Sequence, residues 1–527
     1  MSIGNSSDRN DMKLAAANLY TLIFVLLTTN CQRTGTPDGG EVQTATASRE
    51  LNVAEINVQP APIDTISFPQ FSNLGANGVS SFAANPGRTN TIDFAGPTNN
   101  RYGVQIAELN ASCFGTVVLS EENIATICRS SDQKVTIKFL RGEDLAPLVE
   151  TEEIQLSSSV SSQQLNSMIA LNDGTILVAS QSQRIRRYRL SKEETSYKAM
   201  SEPVWNLSEM SSGKITDEDG EIVSLSLDSQ GMIWFALQNS TIGTLYTTTG
   251  KVASFTFLAA DKSRSESFHT ALVIDPNDKV YIASEKSIYK LTKDAQNVPK
   301  VVWREPYESG KTAKPGQTFL GTQVSPAIMG NEALAIVDNR DSRSDLVIIA
   351  TEDKTMKSRK MCDVPLFRIK ASDVHSHLAA TSRSVFVANS FGNDGADTFD
   401  GIGTTQQGLA RVDLDMPTRT CRTIWNGITT IPESSPKLSL ATGLYYAYAK
   451  KGTGWYVSAF NFQSGNEEIS IRVGNTAAYN NLGAPLIISE NGSLYQGIEI
   501  GLAAIRPLSE GVPLQSTKPY SISNPAE

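Results

Sequence analysis

The apolar and polar positions of this chain fall into a repeating unit of about 50 residues. Each unit holds an apolar first strand, a polar turn, a second strand rich in aromatic and β-branched residues, and two further strands. The second strands make the repeat visible. They are TILVAS (175–180), MIWFAL (232–237), KVYIAS (279–284), ALAIVD (333–338), SVFVAN (384–389) and GWYVSAF (454–460). The pattern predicts a series of four-stranded antiparallel sheets.

A tryptophan marks the same place in three of these units and supports this register. Trp205, Trp303 and Trp425 each lie in a predicted fourth strand, where we expect them to pack between adjacent sheets. Long amphipathic helices are absent from the pattern, which argues against an alternation of helices and strands.

The number of units decides the architecture. A first unit at 113–157 and a last unit at 485–508 bring the total to about eight, or to about seven if the end pieces combine. A sheet of four strands cannot bury both of its faces alone, so such units stack radially and close into a ring. The prediction is an all-β chain with a single β-propeller over 103–527, of seven to eight blades, with eight favoured. The last unit shows only three clear strands, so its fourth would come from the segment before Cys113 or from the C-terminal tail.

The N-terminus has the order of an export signal. Lys13 precedes the uncharged apolar run 14–27, which small polar residues separate from Cys31. The cysteine after this run resembles a bacterial lipobox. That resemblance implies a signal peptide over 1–31 and a diacylated Cys31 that anchors the chain to the membrane, with Gln32 implying the outer membrane. The alternatives are a secreted protein with a conventionally cleaved signal and an uncleaved anchor.

Residues 32–102 are rich in Thr, Asn, Gly, Ala and Pro and show little periodicity. This composition predicts a flexible tether between the anchor and the propeller. The apolar stretch 66–71 is a candidate docking strand within it.

Charge excludes one class of partner. The chain has 46 Lys and Arg against 55 Asp and Glu, a net charge of −9, and it has no basic run. Since nothing in this balance attracts a nucleic acid backbone, we expect no nucleic acid partner.

Four cysteines remain beyond Cys31, an even number that permits disulfides in an oxidising compartment. Cys113 and Cys128 flank one predicted hairpin, while Cys362 and Cys421 fall in matching outer strands of consecutive units. The sequence predicts these two pairs, with unpaired buried thiols as the alternative.

Two segments carry a resemblance to known propeller families. DSQGMIWFALQNSTIGTLYTTTGKVASF (228–255) is similar to repeats of streptogramin-lyase, NHL and SMP-30-like propellers, and SENGSLYQGIEIGLAAI (489–505) is similar to quinoprotein-like repeats. The resemblance implies a propeller and does not identify an enzyme. SMP-30-like enzymes place a metal among Glu, Asn and Asp groups, and streptogramin lyases use a histidine and a glutamate near the channel.

Propeller connectivity gathers polar residues at one mouth of the channel. The loops that join fourth to first strands and second to third strands share one side of the ring, the default ligand site. All three histidines fall there, and two of them alternate on one strand face, which suits a transition metal or acid/base chemistry. The alternative is that they bond neighbouring backbones. The candidate ligand residues are His269, His375, His377, Gln181, Gln238, Glu285, Asn339, Asn389 and Asn461.

A long insertion overhangs the same mouth. It offers hard oxygen ligands for calcium or another divalent metal at Asn393, Asp394, Asp397 and Asp400. Their spacing matches no EF-hand, and a solvated loop is the alternative.

These patterns favour an exported, lipid-anchored binding or scaffold module for a protein or envelope ligand, because no nucleophile motif stands out. The alternative is a metal-dependent hydrolase or lyase of the SMP-30 or streptogramin-lyase type. A third hypothesis is a quinoprotein-like assembly scaffold. No cofactor is predicted, and enzymatic activity is left open.

Overall fold

The computed structural model describes residues 53–81, 83–119, 122–154, 168–194, 196–201, 205–246, 251–256, 266–352, 358–393, 405–433 and 435–508. These residues belong to one compact unit, Arg49–Glu527. The predicted signal segment and Cys31 lie outside them. Eight antiparallel sheets follow one another and close into a ring. The chain is an eight-bladed β-propeller, so the favoured blade number is confirmed.

Every blade has four main strands, numbered here from the axis outward. The four strands are Ala111–Val118, Ile124–Ser130, Val135–Leu140 and Pro147–Glu150 in blade 1; Met168–Ala170, Thr175–Ser180, Arg184–Lys192 and Tyr197–Ser201 in blade 2; Ile222–Leu227, Ile233–Leu237, Thr241–Leu245 and Val252–Thr256 in blade 3; Val273–Ile274, Val280–Ala283, Ser287–Lys293 and Pro299–Pro306 in blade 4; Ala327–Met329, Ala333–Val337, Asp345–Ala350 and Lys360–Pro365 in blade 5; Ala379–Ala380, Ser384–Ala388, Leu409–Asp415 and Thr420–Gly427 in blade 6; Lys437–Ser439, Leu444–Lys451, Gly454–Asn461 and Glu467–Gly474 in blade 7; and Leu486–Ile488, Leu494–Ile498, Gly501–Pro507 and Asn100–Glu108 in blade 8.

Helical structure is sparse in the described stretches. It comprises one α-helical turn, Leu207–Met210, and the 3-10 turns Asp217–Asp219 and Ala477–Tyr479. None of the helices in these stretches is long and apolar enough to cross a membrane.

The last blade takes its outer strand from the N-terminal side of the chain. Asn100–Glu108 pairs antiparallel with Gly501–Pro507, with Val104 opposite Ile505. A fifth strand, Val53–Ile56, pairs in turn with the outer edge of Asn100–Glu108. The ring is therefore clasped by the segment before Cys113, one of the two sources that the sequence left open.

Apolar side chains join every pair of neighbouring blades, including blades 8 and 1. Between blades 6 and 7, Phe386 stacks on Tyr445 with ring centroids 4.8 Å apart. The expected role of two tryptophans is confirmed, because Trp303 Nε1 donates to the Thr351 carbonyl of blade 5 and Trp425 Nε1 donates to the Phe462 carbonyl of blade 7. Full burial of one large apolar side chain contributes about 1.5–3 kcal/mol, so each interface between blades stabilises the ring.

The axis of the ring is occupied by an N-terminal stretch, here called the axial segment (residues 75–81 and 83–92). Its carbonyl oxygens accept N–H groups from the first-strand regions of six blades, at N···O distances of 2.8–3.0 Å. The donors are Val118, Ala170, Ile274, Ile328, Ala380 and Leu438, and the acceptors are Val79, Ser80, Pro86, Gly87, Thr89 and Asn90. Since first strands surround the axis, a segment bonded to six of them lies within the channel.

This placement corrects the predicted flexible tether for residues 53–102. Residues 57–74 lead to the axis across the face of the ring where the turns join first to second strands. The Ile63 N–H donates to the Leu440 carbonyl, and Leu74 forms an isolated β-bridge with Leu171. Phe68 and Phe71 are buried there, while Ile66 is 75% exposed. The small and polar residues of this stretch have the composition of a linker. Here they allow the backbone to fit within the channel, where its carbonyls accept the N–H groups of the inner strands.

Both predicted disulfides are confirmed. Cys113 and Cys128 face each other across the first hairpin of blade 1, with Cα atoms 4.0 Å apart. Cys362 and Cys421 join the outer strands of blades 5 and 6, with Cα atoms 5.8 Å apart. The outer strands of these two blades stay in contact, so the second bridge needs no displacement of the backbone.

We predict that Asn90→Ala lowers the free energy of unfolding by about 2–4 kcal/mol, because it removes hydrogen bonds from buried polar groups of blades 6 and 7. The Asn90 side chain donates to the Leu378 carbonyl and accepts from Lys437 and Ser435. Denaturant unfolding of the purified protein measures the change. The matched control is Asn297→Ala, which shares a left-handed φ (61° against 51°) in a turn of blade 4. Equal losses in the two variants would contradict a joining role for Asn90.

Candidate functional site

The connections from fourth to first strands and from second to third strands form one face of the ring, called the upper face below. At blades 5 and 6 it contains a buried ion pair between Asp373 and His375. His375 Nε2 lies 2.5 Å from Asp373 Oδ2, and both side chains are almost fully buried. Burial lowers the pKa of His375, but the hydrogen bond and the charge of Asp373 outweigh it, so the pKa is raised overall. Proton sharing between these two groups therefore favours the imidazolium form.

The connection from blade 4 to blade 5 covers this pair. Gln317 Nε2 donates to Asp373 Oδ1 (2.7 Å), and Lys314 Nζ donates to the Ser372 carbonyl (2.8 Å). Gly316, at φ 95°, lies so close that a Cβ there would be 2.3 Å from the Asn393 carbonyl oxygen and 3.1 Å from His375 Cε1. Only glycine fits this contact without displacing the backbone. The connection thus forms a fixed cover over His375.

Two serines complete the environment of His375. Ser390 Oγ accepts the N–H groups of both His375 and Ser376 at 3.2 Å, and the two serine hydroxyls are 3.3 Å apart. All three residues are in the connection or loop of blade 6, and the first strand begins only at Ala379. His375 and His377 are therefore not on one strand face, which corrects the predicted alternation.

The three histidines have three different environments. The His269 ring stacks on Phe319 with centroids 4.0 Å apart, and burial lowers its pKa against the opposing charge of Glu285. His377 faces the axis, where burial first, and then the charges of Arg88 and Lys437, lower its pKa to about 3. The histidines predicted at one mouth thus do not form a common site.

Most of the Asn and Glu residues among the candidate ligand residues form hydrogen bonds with neighbouring loops. Asn339 accepts from Ser344 Oγ and donates to the Gly321 carbonyl, and Asn389 accepts the Asp373 N–H. Glu285 accepts the Ser267 N–H at 2.7 Å, and Asn461 accepts the N–H groups of residues 463 and 464.

The two glutamines among the candidate ligand residues are more accessible to solvent. Gln238 is half-buried, and its backbone N–H donates to the Glu221 carbonyl. Gln181 is exposed. The candidate ligand residues therefore split between loop supports and a few accessible side chains.

Of the candidate metal ligands, only Asn393 is in the described stretches; Asp394, Asp397 and Asp400 lie outside them. Asn393 Nδ2 donates to the Pro432 carbonyl at 3.3 Å and to Glu433 Oε2 at 3.4 Å. It ties the loop of blade 6 to the next connection. Within the described part of the chain, His, Cys, Asp and Glu form no group of three placed to hold a metal ion.

Apolar exposure is the feature of this face that the sequence analysis missed. Leu320, Ile369 and Ile428 are 38%, 64% and 81% exposed, and they lie on the three successive connections that join blades 4 to 7. They are three of the seven large apolar side chains exposed in the described residues. Each is a single apolar residue in a polar loop, and only the closed ring shows that the three belong to one face.

Comparisons with known proteins identify the fold and little more. No protein-family profile matches the chain. Over 328 residues it is 22% identical to an uncharacterized protein of Archaeoglobus fulgidus, covering 57% of this chain and 63% of that protein. The chain thus spans less than two thirds of that relative's length.

Solved structures similar to this chain are propellers. Sqt1 of Chaetomium thermophilum matches with a TM-score of 0.50 at 11% identity, covering 76% of this chain and 96% of that one. BamB of Moraxella catarrhalis gives 0.39 at 15% identity (67% and 100% covered), and a streptogramin B lyase gives 0.36 at 10% (77% and 98%). The predicted resemblance to propellers is confirmed for the fold alone.

We predict opposite pH effects for two histidine substitutions. His375→Gln should destabilise the protein more at about pH 5 than at about pH 8, because a raised folded pKa stabilises below the unfolded value and is lost as pH rises. His377→Gln should destabilise less at about pH 5 than at about pH 8, because the lowered folded pKa makes the native protein lose stability, on the order of 1 kcal/mol, as pH falls below the unfolded value. Denaturant midpoints of both variants and the wild type measure this. If both variants were destabilised more at the same one of the two pH values, the assigned environments would be contradicted.

Proposed function

We propose that the protein is an exported, lipid-anchored propeller that binds a protein partner through the upper face of blades 4 to 7. The observation that carries this proposal is the exposure of Leu320, Ile369 and Ile428 on successive connections of one face. Exposed apolar residues that share a face favour association, because covering them removes apolar surface from water.

The rigidity of the connections supports binding there. Lys314, Asp373 and His375 hold two of the three connections by buried hydrogen bonds. A surface fixed before the partner arrives loses less conformational entropy on association. His375 is almost fully buried beneath the connection that carries Gly316, so binding suits this geometry better than turnover.

We include export and lipid anchoring in the proposal because of the order of residues at the N-terminus. Two disulfides fit an oxidising compartment outside the cytoplasm. A lipid on Cys31 would hold the ring at a membrane, and the partner would be a protein of the cell envelope.

We predict that a photo-crosslinking side chain at position 369 or 428 captures the same discrete partner in cells of the source organism. Leu320→Glu should abolish both crosslinks, because a carboxylate in the buried centre of an interface is left unpaired. The matched control is Met200→Glu, which changes an apolar residue of similar exposure (46%) on the outer strand of blade 2. Equal crosslinking from position 200, or crosslinks that survive Leu320→Glu in a folded protein, would overturn the proposed face.

We predict that Cys31→Ser abolishes incorporation of labelled palmitate and moves the protein from the membrane to the soluble fraction, because the thiol that carries the lipid is gone. Gln32→Asp should retain the label but change the membrane in which the protein is found. The double variant Cys362→Ser/Cys421→Ser controls for loss of a cysteine elsewhere. Unchanged membrane association in Cys31→Ser would exclude the lipid anchor without affecting the proposed binding face.

A further inference from the structure

The connection between blades 5 and 6 begins with a tight turn in which an exposed isoleucine lies between two exposed cations. Arg368, Ile369 and Lys370 are all exposed, and Arg368 forms an isolated antiparallel bridge with Ala371. The Ala371 N–H donates to the Arg368 carbonyl at 3.1 Å, which closes the turn. Residues 368–371 are called the basic turn below.

Neighbouring loops hold the basic turn in place. The Lys370 N–H donates to the Ser342 carbonyl of blade 5 at 2.8 Å, and Lys370 has a left-handed φ of 62°. Phe367, directly before the turn, packs so closely on Gly408 of blade 6 that a Cβ there would lie 2.6 Å from Phe367 Cδ1. The two cations are therefore exposed on a backbone that contacts both blades.

A third cation lies beside the basic turn. Arg343, in the loop between the second and third strands of blade 5, donates from Nε to the Leu366 carbonyl at 2.9 Å and from Nη2 to the Pro365 carbonyl at 3.2 Å. These two bonds fix the plane of the guanidinium. Among the residues that the structure describes, no further acceptor bonds this group, so its remaining N–H groups are available to a ligand.

The three cations have no counter-charge within the described stretches, where none of them forms an ion pair. Carboxylates of the surrounding loop and strand have other partners. Asp341 Oδ1 accepts the N–H groups of Lys311 at 2.6 Å and Thr312 at 3.1 Å. Asp363 Oδ1 lies 3.4 Å from Lys360 Nζ. This corner of the upper face is thus positively charged in a chain whose net charge is −9.

We propose that the basic turn and Arg343 bind an acidic segment of the protein partner, in which Asp or Glu side chains flank an apolar residue that covers Ile369. This inference rests on the proposed function, because it names the chemistry of the partner at the same face. A carboxylate fits the planar N–H groups of a guanidinium, and Lys370 adds a point charge. An apolar contact with charged pairs at its rim is the usual arrangement of a protein interface.

The number and geometry of the cations favour a polypeptide over an anionic membrane. Segments that bind anionic lipids carry about four to eight Lys and Arg residues, and the basic turn with Arg343 has fewer. Two carbonyls fix the Arg343 guanidinium, so it suits a carboxylate in a defined position better than a fluid layer of headgroups. Contact with lipid is an outcome that the experiment distinguishes.

A photo-crosslinking side chain at position 369 identifies what lies on the basic turn. Mass spectrometry of the digested crosslink from cells of the source organism should give a peptide of another protein, with Asp or Glu on both sides of the attachment site. A neutral or basic peptide, a lipid adduct or a second copy of this chain would overturn the proposal. So would attachment to the chain's own acidic residues 394–400.

Charge reversal tests the cations separately. Arg368→Glu/Lys370→Glu should lower the yield of the crosslink from position 428 by about tenfold, because two attractions become repulsions. The matched control is Lys192→Glu/Lys198→Glu, which reverses two exposed lysines on blade 2 and should leave the yield unchanged. An unaltered yield in the folded Arg368→Glu/Lys370→Glu protein would contradict the assigned contacts.

Salt gives a second measurement that needs no variant. The yield from position 428 in extracts of the wild-type cells should fall as sodium chloride rises from about 0.05 M to about 0.5 M, because salt screens exposed charges. A yield that is independent of salt would argue against charge pairing with the partner.

Failure of this inference and failure of the binding face give different results. A crosslink that Leu320→Glu abolishes, but that charge reversal and salt leave unchanged, would exclude the acidic segment and keep the face. Capture of no protein from position 369 or 428 would overturn both.

Discussion

The ring depends on hydrogen bonds at its axis. Each blade presents an inner edge whose backbone groups have no fifth strand to pair with, and eight such edges converge. The axial segment covers six of them with its own carbonyl oxygens, and Thr91–Ile92 continues as a short parallel strand beside Lys437–Ser439. The same stretch of chain then supplies Asn100–Glu108, the strand that clasps blade 8. One N-terminal region therefore pairs with six of the eight inner edges and supplies the outer strand of blade 8, which makes it part of the fold and not an appendage.

This arrangement restricts where a large ligand can bind. A partner cannot pass through the channel, because the axial segment is bonded there. On the upper face, the connections are held by buried polar groups, notably Lys314 and the Asp373–His375 pair. Leu320 and Ile369 are exposed on the two connections that meet where Gly316 contacts His375. A buried polar network that supports an apolar surface suits recognition, since the surface keeps its shape without the partner.

The repeat, the blade number and the disulfides followed from local patterns, because each second strand is long, apolar and regularly spaced. The axial segment did not, because GANGVSSFAANPGRTN has the composition of a linker and its partners lie up to hundreds of residues away. Asn339 and Asn389 were predicted as ligand residues from their positions after second strands. Their positions were informative, but their amides donate to carbonyls of the connection that precedes each blade, those of Gly321 and Ala371. Arg88 gave no signal, since it is a single cation whose hydrogen-bond acceptor, the Leu272 carbonyl, comes from a distant part of the chain.

The axial contacts also show that closing the ring does not require a charged side chain at position 88. The joining of blades at the axis is carried by six backbone carbonyls between Val79 and Asn90. A neutral side chain at position 88 would keep these bonds and avoid the desolvation of a guanidinium. The energetic disadvantage of Arg88 is therefore not a consequence of closing the ring.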